Sequence, residues 1–271
     1  MDMIQIALLS FVQGLTEFLP ISSSGHLILT PLLFGYELQD LSFDIAVHLG
    51  TLGAVVFYFR KDIARMVAAM FDSLRSRSLA SKDARLGWMI VIATLPLLAF
   101  GFPLKAVLEL LREDQRLVAI IIATTSIGFG LLLWIGDLRG RRQKDEYGID
   151  WRAALIIGCF QAIAIIPGTS RSGITITAGL FLGLTRQAAS RFSFLLSIPT
   201  IGLAGLVTAK DLTESTISVD LQALWIGALL SFIVAYLTIH YFLRFIERIS
   251  MLPFVIYRVL LGGVILMLVL M

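Results

Sequence analysis

Long apolar segments are the feature that most restricts how this chain can fold. Six of them are long enough to cross the hydrocarbon core of a bilayer, which takes roughly 17–25 helical residues. Hydrophobic residues make up 58% of the chain and charged residues 15%, against about a quarter charged in soluble domains. We therefore predict an all-α polytopic membrane protein with a single integral membrane domain over residues 1–271. The predicted spans are Phe43–Phe59, Leu86–Leu104, Leu117–Ile135, Arg191–Val207, Leu221–Phe242 and Leu252–Met271.

Two further apolar stretches are not typical of single spanning helices. Residues 3–34 and 151–184 each contain a proline, Pro20 or Pro167, near a cluster of serine and glycine. Proline lacks a backbone N–H and ends the helix that precedes it. Broken helices at membrane depth are tolerated where they are buried in protein or line a cavity. We predict that each stretch is a re-entrant helix hairpin, entering and leaving the membrane on the same side.

The two broken stretches are variants of one motif. QGLTEFLPISSSG at 13–25 and QAIAIIPGTSRSG at 161–173 align at a single offset, which predicts approximate repeats over 1–135 and 151–271. The same offset pairs Ser23 with Arg171, so one copy carries a hydroxyl where the other carries a cation. The identical pairs are Gln13 with Gln161, Ser22 with Ser170, Ser24 with Ser172 and Gly25 with Gly173.

The distribution of basic residues predicts the orientation of the chain. Residues 60–85 hold seven Lys or Arg and residues 137–152 hold five, whereas residues 1–42 hold none. Lys and Arg are enriched in cytoplasmic loops, so both basic loops are predicted to be cytoplasmic. The first hairpin then enters from the outer face and the second from the cytoplasm, as in an inverted-topology repeat. The basic residues assigned to the outer side are Lys105, Arg112, Arg116 and Lys210.

The serine clusters predict an anion site. Serines are suited to cap the second half-helix of each hairpin, and helix N-termini favour bound anions. Two such termini that meet beside Arg171 would hold a multiply charged anion such as phosphate or pyrophosphate. The residues expected to bind phosphate are Ser22, Ser24, Gly25, Ser170, Ser172 and Gly173.

Ionisable residues also occur within the predicted hairpins. Glu17 and Arg171 would each cost about 2.5–3.5 kcal/mol at the centre of a bilayer. One interpretation is a purely structural ion pair between them. The other is an active site, because Gln13 lies one helical turn before Glu17 and His26 follows Ser23 by three residues. These groups include a nucleophile, a general acid or base and a charge clamp.

The remaining polar residues of the apolar segments are interpreted as structural. His48 and His240 are expected to be hydrogen-bonded core residues, and Cys159 is expected to serve in packing. Arg258 is expected to extend to the membrane interface or to pair with Glu247. With a single cysteine, the chain has no internal disulfide and no multi-cysteine metal centre.

Three motifs carry a resemblance to a known family. Gln13-x-x-x-Glu17, the following FLPISSSGH and the later PGTSRSG resemble the signatures of the undecaprenyl-pyrophosphate phosphatase family of the bacitracin-resistance type. The resemblance extends over essentially the whole chain, including SFLLSIP at 193–199. It implies hydrolysis of undecaprenyl diphosphate to undecaprenyl phosphate and phosphate, which recycles the lipid carrier for peptidoglycan synthesis and confers bacitracin resistance. It also implies a multi-pass protein of the bacterial cytoplasmic membrane. We expect the diphosphate head to enter from the outer face, so that the site is open to the periplasmic side.

The resemblance also implies a cofactor and residue roles. A divalent metal ion, Mg²⁺ or Ca²⁺, is expected, with Glu17 as its main ligand and Gln13 as a second. The family allows Glu or Gln at position 13, and the glutamine here weakens any mechanism that needs two carboxylates on one metal. The residues that match the family's principal active-site positions are Glu17, Ser23, His26 and Arg171, with Ser170, Ser172 and Thr175 supporting phosphate binding.

Several alternatives stay open at the level of the sequence. The nucleophile is Ser23 with His26 as its base, His26 itself, or water. Undecaprenyl diphosphate and membrane lipids are the expected partners. Nucleic acid is not an expected partner, and a homodimer stays open.

A rival function is a lipid-carrier flippase or secondary transporter, because inverted repeats with broken helices are typical of transporters. A Ser–His pair beside Arg171 favours the enzyme, since a carrier needs no nucleophile. A purely structural scaffold is disfavoured by the costly charges in the membrane.

Overall fold

The fold of this chain is built from α-helices. A computed structural model describes residues 1–111, 115–213 and 220–270, with side chains described except at 32, 102–115 and 207–219. Apart from one bridge between Lys144 and Leu184 and a 3-10 turn at Glu146–Gly148, the regular structure in these ranges is α-helical. The predicted all-α class is therefore confirmed. The helices are α1 Met3–Thr16, α2 Ser23–Phe34, α3 Leu41–Tyr58, α4 Arg60–Ser76, α5 Lys82–Leu111, α6 Gln115–Arg139, α7 Trp151–Ile163, α8 Arg171–Phe181, α9 Arg186–Thr213, α10 Leu221–Phe245 and α11 Leu252–Leu270.

Six described helices are long and apolar enough to span a bilayer, as predicted. Their boundaries agree with the predicted spans to within a few residues, the largest differences being the earlier starts of the second and fourth spans and the later end of the third. Arg112 of the predicted outer turn and the predicted end of the last span at Met271 lie outside the described residues. The candidate spans are Leu41–Tyr58, Lys82–Gly101, Arg116–Arg139, Arg186–Leu206, Leu221–Phe245 and Leu252–Leu270.

Both motif-bearing stretches are broken helices. α1 and α2 are separated at Pro20, and α7 and α8 are separated at Pro167, which confirms the predicted breaks. The residue before each second half-helix has a positive φ, 73° at Ser22 and 69° at Ser170. A positive φ is uncommon for serine, and its recurrence at equivalent positions shows that the two copies share a local backbone. Their re-entrant entry and inverted topology stay predictions, since both are defined relative to a membrane.

Close helix packing positions the first hairpin. α10 packs against both α1 and α3. At Gly14 of α1, an added Cβ would lie 2.7 Å from the Val234 side chain, so only glycine allows this approach of the two backbones. Phe18, immediately after Glu17, is fully buried and meets the Phe194 ring edge-on at 5.1 Å between centroids. The break after α1 is thereby anchored to α9.

Asp137 connects three spans on the side of the basic loops. It is buried at the end of α6, and its carboxylate accepts from Arg186 Nε at 2.6 Å and Nη2 at 2.9 Å, at the start of α9. The same group accepts the backbone N–H of Met251 at 3.0 Å and pairs with Arg142. Buried charges are stable only when paired and hydrogen-bonded, so this network holds the ends of α6, α9 and α11 together.

Candidate active site

Glu17 is the centre of the polar cluster that the two hairpins form. Its Oε2 accepts hydrogen bonds from Ser23 Oγ at 2.8 Å and from Gln13 Nε2 at 3.0 Å, and its Oε1 accepts one from Arg171 Nη2 at 2.9 Å. The Glu17 and Arg171 side chains are 7% and 13% exposed. Three sequence-predicted site residues, from both copies of the motif, therefore converge on the buried carboxylate of a fourth. Ser23 and Arg171, which the sequence alignment superposes, contact opposite oxygens of it.

The helix breaks explain why these side chains converge. Ser23 is the first residue of α2 and Arg171 is the first residue of α8. The Arg171 guanidinium is further held by the Ser193 carbonyl, which accepts from Nη1 at 3.1 Å. Thr175, one turn into α8, contacts the Ser193 hydroxyl at 2.7 Å. α9 therefore fixes the direction of the arginine.

The serine caps differ between the two hairpins. The Ser170 hydroxyl accepts the Gly173 N–H at 3.1 Å, as expected of an N-cap. The equivalent Ser22 makes no side-chain cap among the described residues, and its hydroxyl lies 3.4 Å from that of Ser24. The prediction that serines cap both half-helices is thus wrong for the first hairpin. Ser172 donates to the Leu19 carbonyl at 2.8 Å and joins the two breaks.

A cavity of about 560 Å³ adjoins this cluster. Its polar end contains Glu17, Ser23 and Arg171, and its apolar wall comes from α3, α5 and α9. A cavity with a charged end and an aliphatic wall matches an amphipathic ligand with an anionic head. Of the predicted phosphate-binding residues, those that line it are Ser22, Ser24 and Ser170, whereas Gly25, Ser172, Gly173 and Thr175 lie behind this surface.

His26 has different neighbours from those expected. Its Nδ1 lies 2.7 Å from the Ser22 carbonyl, and its Nε2 lies 2.5 Å from the hydroxyl of Tyr257, on whose ring it stacks. Within the described contacts, no hydrogen bond joins His26 to Ser23, and His26 is not part of the cavity lining. The Ser23 hydroxyl donates its hydrogen bond to Glu17 instead. Tyr257, which the sequence analysis did not single out, positions the imidazole.

His48 is a cavity residue that the sequence analysis assigned to the core. Its Nε2 lies 3.8 Å from Glu17 Oε2, and the Asp44 carbonyl accepts from its Nδ1 at 2.7 Å. The side chain is 34% exposed, and both residues line the cavity. The core interpretation of His48 is therefore wrong. One available signal was that Asp44 and His48 lie one helical turn apart and hence on one face of α3.

Arg258 is also placed differently from the prediction, which had it snorkelling or paired with Glu247. It is fully buried in α11, and its guanidinium donates to backbone carbonyls on three sides. One acceptor, Pro20, lies in the first break; two, Gly168 and Thr169, lie in the second. The carbonyl acceptors are Ser126 at 3.0 Å, Pro20 at 3.3 Å, Thr125 at 3.4 Å, Gly168 at 3.0 Å and Thr169 at 2.9 Å.

The cluster provides few protein ligands for a metal ion. In the described part of the chain, no group of three or more His, Cys, Asp or Glu side chains could hold one. Gln13 Oε1, however, is buried beside Glu17 without a hydrogen-bond partner. One carboxylate and one amide oxygen fit Mg²⁺, which is commonly bound by one or two carboxylates together with water and substrate phosphates.

Known proteins match this chain over almost its full length. A family model described as bacitracin resistance protein BacA matches residues 6–264. The chain is 52% identical to Undecaprenyl-diphosphatase 2 of Stutzerimonas stutzeri, covering 99% of this chain and 98% of that protein. It is 53% identical to Undecaprenyl-diphosphatase of Nitrosococcus oceani and 51% identical to Undecaprenyl-diphosphatase 1 of Pseudoalteromonas translucida, with 97% of each chain covered in both cases. The chain therefore belongs to the bacitracin resistance protein BacA family.

Proposed function

We propose that this protein is a membrane phosphatase that hydrolyses undecaprenyl diphosphate to undecaprenyl phosphate and inorganic phosphate. The observation that carries the proposal is the Glu17 carboxylate, which joins a hydroxyl nucleophile, Ser23, to a guanidinium, Arg171, at the polar end of an apolar-walled cavity. The names of the relatives support the same substrate. Recycling of the lipid carrier for the cell wall and resistance to bacitracin follow from the family.

The cavity suits the two parts of this substrate. Arg171 and the serines at its polar end would bind the diphosphate, and the aliphatic wall, which includes Leu49 and Leu98, would contact the prenyl tail. We propose that the protein lies in the bacterial inner membrane with its basic loops in the cytoplasm and the cavity open to the periplasm. A homodimer stays an open part of the proposal.

The proposed reaction begins with Ser23. Its Oγ forms a bond to the terminal phosphorus while the bridging P–O bond to undecaprenyl phosphate breaks, and its proton passes to Glu17 Oε2. Phosphoryl oxygens compete with Glu17 for the Arg171 guanidinium, which leaves the carboxylate free to accept that proton. Water then hydrolyses the phosphoserine and releases phosphate, and Glu17 returns its proton to Ser23 Oγ. His26, the predicted base for this step, would have to leave Tyr257 to reach that water, because it lies outside the cavity lining. Arg171 stabilises the charge on the transferred group.

Glu17 and Gln13 are the residues we propose to hold the divalent cation, Mg²⁺ or Ca²⁺. When bound there, the cation would neutralise charge on the diphosphate. The protein's part is to present the Glu17 carboxylate at the polar end of the cavity, with the unpartnered Gln13 amide oxygen buried beside it.

Substitution of Ser23 tests the nucleophile. In detergent with Mg²⁺ and a prenyl diphosphate, Ser23→Ala should lower phosphate release at least about 1,000-fold. Alanine has no attacking oxygen, and among the described contacts the neighbouring Ser22 and Ser24 hydroxyls lie near each other and do not donate to Glu17 as Ser23 does. Ser10→Ala is the matched control, since Ser10 is buried in α1 and, among the described residues, its hydroxyl donates only to the Ile6 carbonyl of its own helix. Acid-quenched wild-type enzyme should retain labelled phosphate on Ser23.

Two results would contradict this assignment. If the activity of Ser23→Ala is within tenfold of wild type, then water or His26, and not Ser23, attacks the terminal phosphorus. Absence of phosphate release from folded wild-type protein, together with movement of prenyl phosphate between leaflets of a vesicle, would favour the flippase or transporter.

Substitution of Gln13 tests the metal site. Gln13→Glu adds a second carboxylate beside Glu17, and a higher ligand charge tightens binding of a hard cation. We expect the Mg²⁺ concentration for half-maximal phosphate release to fall several-fold in a titration after chelator treatment. Gln161→Glu makes the same change at the equivalent position of the other repeat and controls for added charge. A similar shift in both variants would argue against a cation at Gln13.

A further inference from the structure

A second cavity lies at the other end of the α5–α7 helix pair from the candidate active site. It has a volume of about 710 Å³. One face of α5, from Arg85 to Ile92, and Trp151 of α7 line it, whereas Leu97 and Gln161, farther along the same two helices, line the first cavity. The two cavities are therefore separate sites that share two helices.

One end of this second cavity is cationic. Arg77, after α4, and Arg85, in the first turn of α5, both line it and are exposed. Neither guanidinium forms a hydrogen bond or an ion pair with a described residue. The acidic residue in the lining, Asp150, already accepts the Ala153 N–H at 2.8 Å as the N-cap of α7. The two arginines therefore provide positive charge that nothing described in the chain neutralises.

The other end is apolar and reaches towards the membrane interior. Trp88, Met89 and Ile92 continue the face of α5 that Arg85 begins, since residues three, four and seven apart lie together on a helix. The candidate span of α5 starts at Lys82. At about 1.5 Å per residue, Arg85 then lies roughly 5 Å and Ile92 roughly 15 Å into the span. These depths correspond to the headgroup region and the upper acyl region of a bilayer.

Neighbouring aromatic and apolar residues indicate that the cavity lies at the same depth, where the bilayer meets water. Trp88 and Trp151 both line the cavity, and tryptophan is enriched where a bilayer meets water. Helix α4, which leads to Arg77, has a polar and an apolar face, and it exposes Phe71 by 69% and Leu74 by 62%. An amphipathic helix of this kind lies in the plane of the interface with its apolar side towards the acyl chains.

We propose that this cavity binds one anionic phospholipid, with its phosphate between Arg77 and Arg85 and an acyl chain along Trp88 and Ile92. Basic pockets between membrane helices bind acidic headgroups, and the apolar end selects a lipid over a small anion. The bound lipid would brace the α5–α7 pair, so it would stabilise the folded protein.

The experiment compares two double variants of the full chain that lose the same charge. Wild type, Arg77→Gln/Arg85→Gln and Arg139→Gln/Arg141→Gln are unfolded by heat in micelles that contain phosphatidylcholine or phosphatidylglycerol. Phosphatidylglycerol should raise the melting temperature of wild type and of the Arg139/Arg141 variant by about 4 °C. The Arg77/Arg85 variant should lose at least half of that shift and about tenfold in retention of phosphatidylglycerol in native mass spectrometry.

Several outcomes would overturn the proposal. If both double variants lose the same part of the rise in melting temperature, the lipid is attracted generally to the basic face of the protein. If the Arg77/Arg85 variant keeps the full rise, the cavity is not the lipid site. The same stabilisation of wild type by inorganic phosphate, lost in the Arg77/Arg85 variant, would indicate a small-anion site instead of a lipid site, whereas phosphate bound at the active site would stabilise both proteins equally. Native mass spectrometry at a fixed temperature, with circular dichroism of each variant, keeps binding distinct from folding.

Discussion

Arg171→Ala should lower phosphate release from a prenyl diphosphate at least about 1,000-fold, the scale on which a transition-state arginine acts in phosphoryl transfer. The guanidinium contacts Glu17 through Nη2 and the Ser193 carbonyl through Nη1, so its direction is set before substrate binds. Alanine removes the cation that would stabilise charge on the transferred phosphoryl group.

The lysine variant separates charge from geometry. Arg171→Lys keeps the positive charge, but a single ammonium group cannot reproduce the fixed fork of a guanidinium. We expect Arg171→Lys to recover no more than about a tenth of wild-type phosphate release. Recovery to within threefold would mean that a point charge is sufficient and that contact with Ser193 has no role.

The matched control for this pair is Arg75→Ala, because Arg75 is an exposed arginine of α4 outside the cavity lining. Each variant is compared with wild type by size-exclusion chromatography and thermal unfolding. This is necessary because removal of Arg171 leaves Glu17 buried without its cation, which destabilises a protein by itself. Folded Arg171→Ala with phosphate release near that of wild type would exclude the proposed clamp.

Arg258→Met should destabilise the protein by about 3 kcal/mol and lower its melting temperature by at least about 6 °C. The Arg258 guanidinium is the hydrogen-bond donor for the carbonyls of Pro20, Gly168 and Thr169, which lie where the helices are broken. A buried carbonyl that loses its donor costs about 1–3 kcal/mol. The substitution also removes a buried positive charge, and this offsets part of the cost. We therefore expect the total for the three carbonyls to lie near the lower end of the summed range.

The catalytic effect of Arg258 can be distinguished from its effect on folding. Arg258→Lys keeps the charge, but its single ammonium cannot reach the carbonyls of both breaks and of α6 at once. We therefore expect Arg258→Lys to melt closer to wild type than Arg258→Met, yet to release phosphate at least about tenfold more slowly because Ser23 and Arg171 lose their relative position. Arg248→Met, an exposed substitution three residues after the end of α10, should match wild type in both measurements. Wild-type stability of Arg258→Met would show that water or other donors satisfy the two breaks.

The spans and the helix breaks were predictable because they depend on local properties. Twenty or so apolar residues specify a membrane helix whatever they pack against, and Pro20 and Pro167 end a helix through the missing N–H of proline itself. The alignment of the two motifs was equally local. The alignment drew attention to Ser23, which it pairs with Arg171. Glu17 and Arg171 also stood out because ionisable groups in apolar segments are costly.

The partners of those residues could not be predicted in the same way. His26 is three residues after Ser23, but its ring bonds Tyr257, which is 231 positions away. His48 and Arg258 resembled isolated polar residues because their neighbours come from other helices. The expected Ser22 cap is absent from the described contacts, although the equivalent Ser170 hydroxyl caps α8 and also lies 3.2 Å from the Ser172 hydroxyl. The backbone at Ser22 has the predicted break, but its hydroxyl lies near that of Ser24 instead of accepting an N–H.

By itself, the sequence determined that this chain is a helical membrane protein with two broken, serine-rich copies of one motif. Apolar length and proline act within a few residues, so no tertiary contact was needed for either. Only the tertiary structure decided that Glu17, not His26, accepts the Ser23 hydrogen bond, and that Arg258 binds both breaks. The physical reason is that a buried polar group must find a partner wherever the packed helices supply one, and that choice depends on distances between helices which spacing along the chain does not encode.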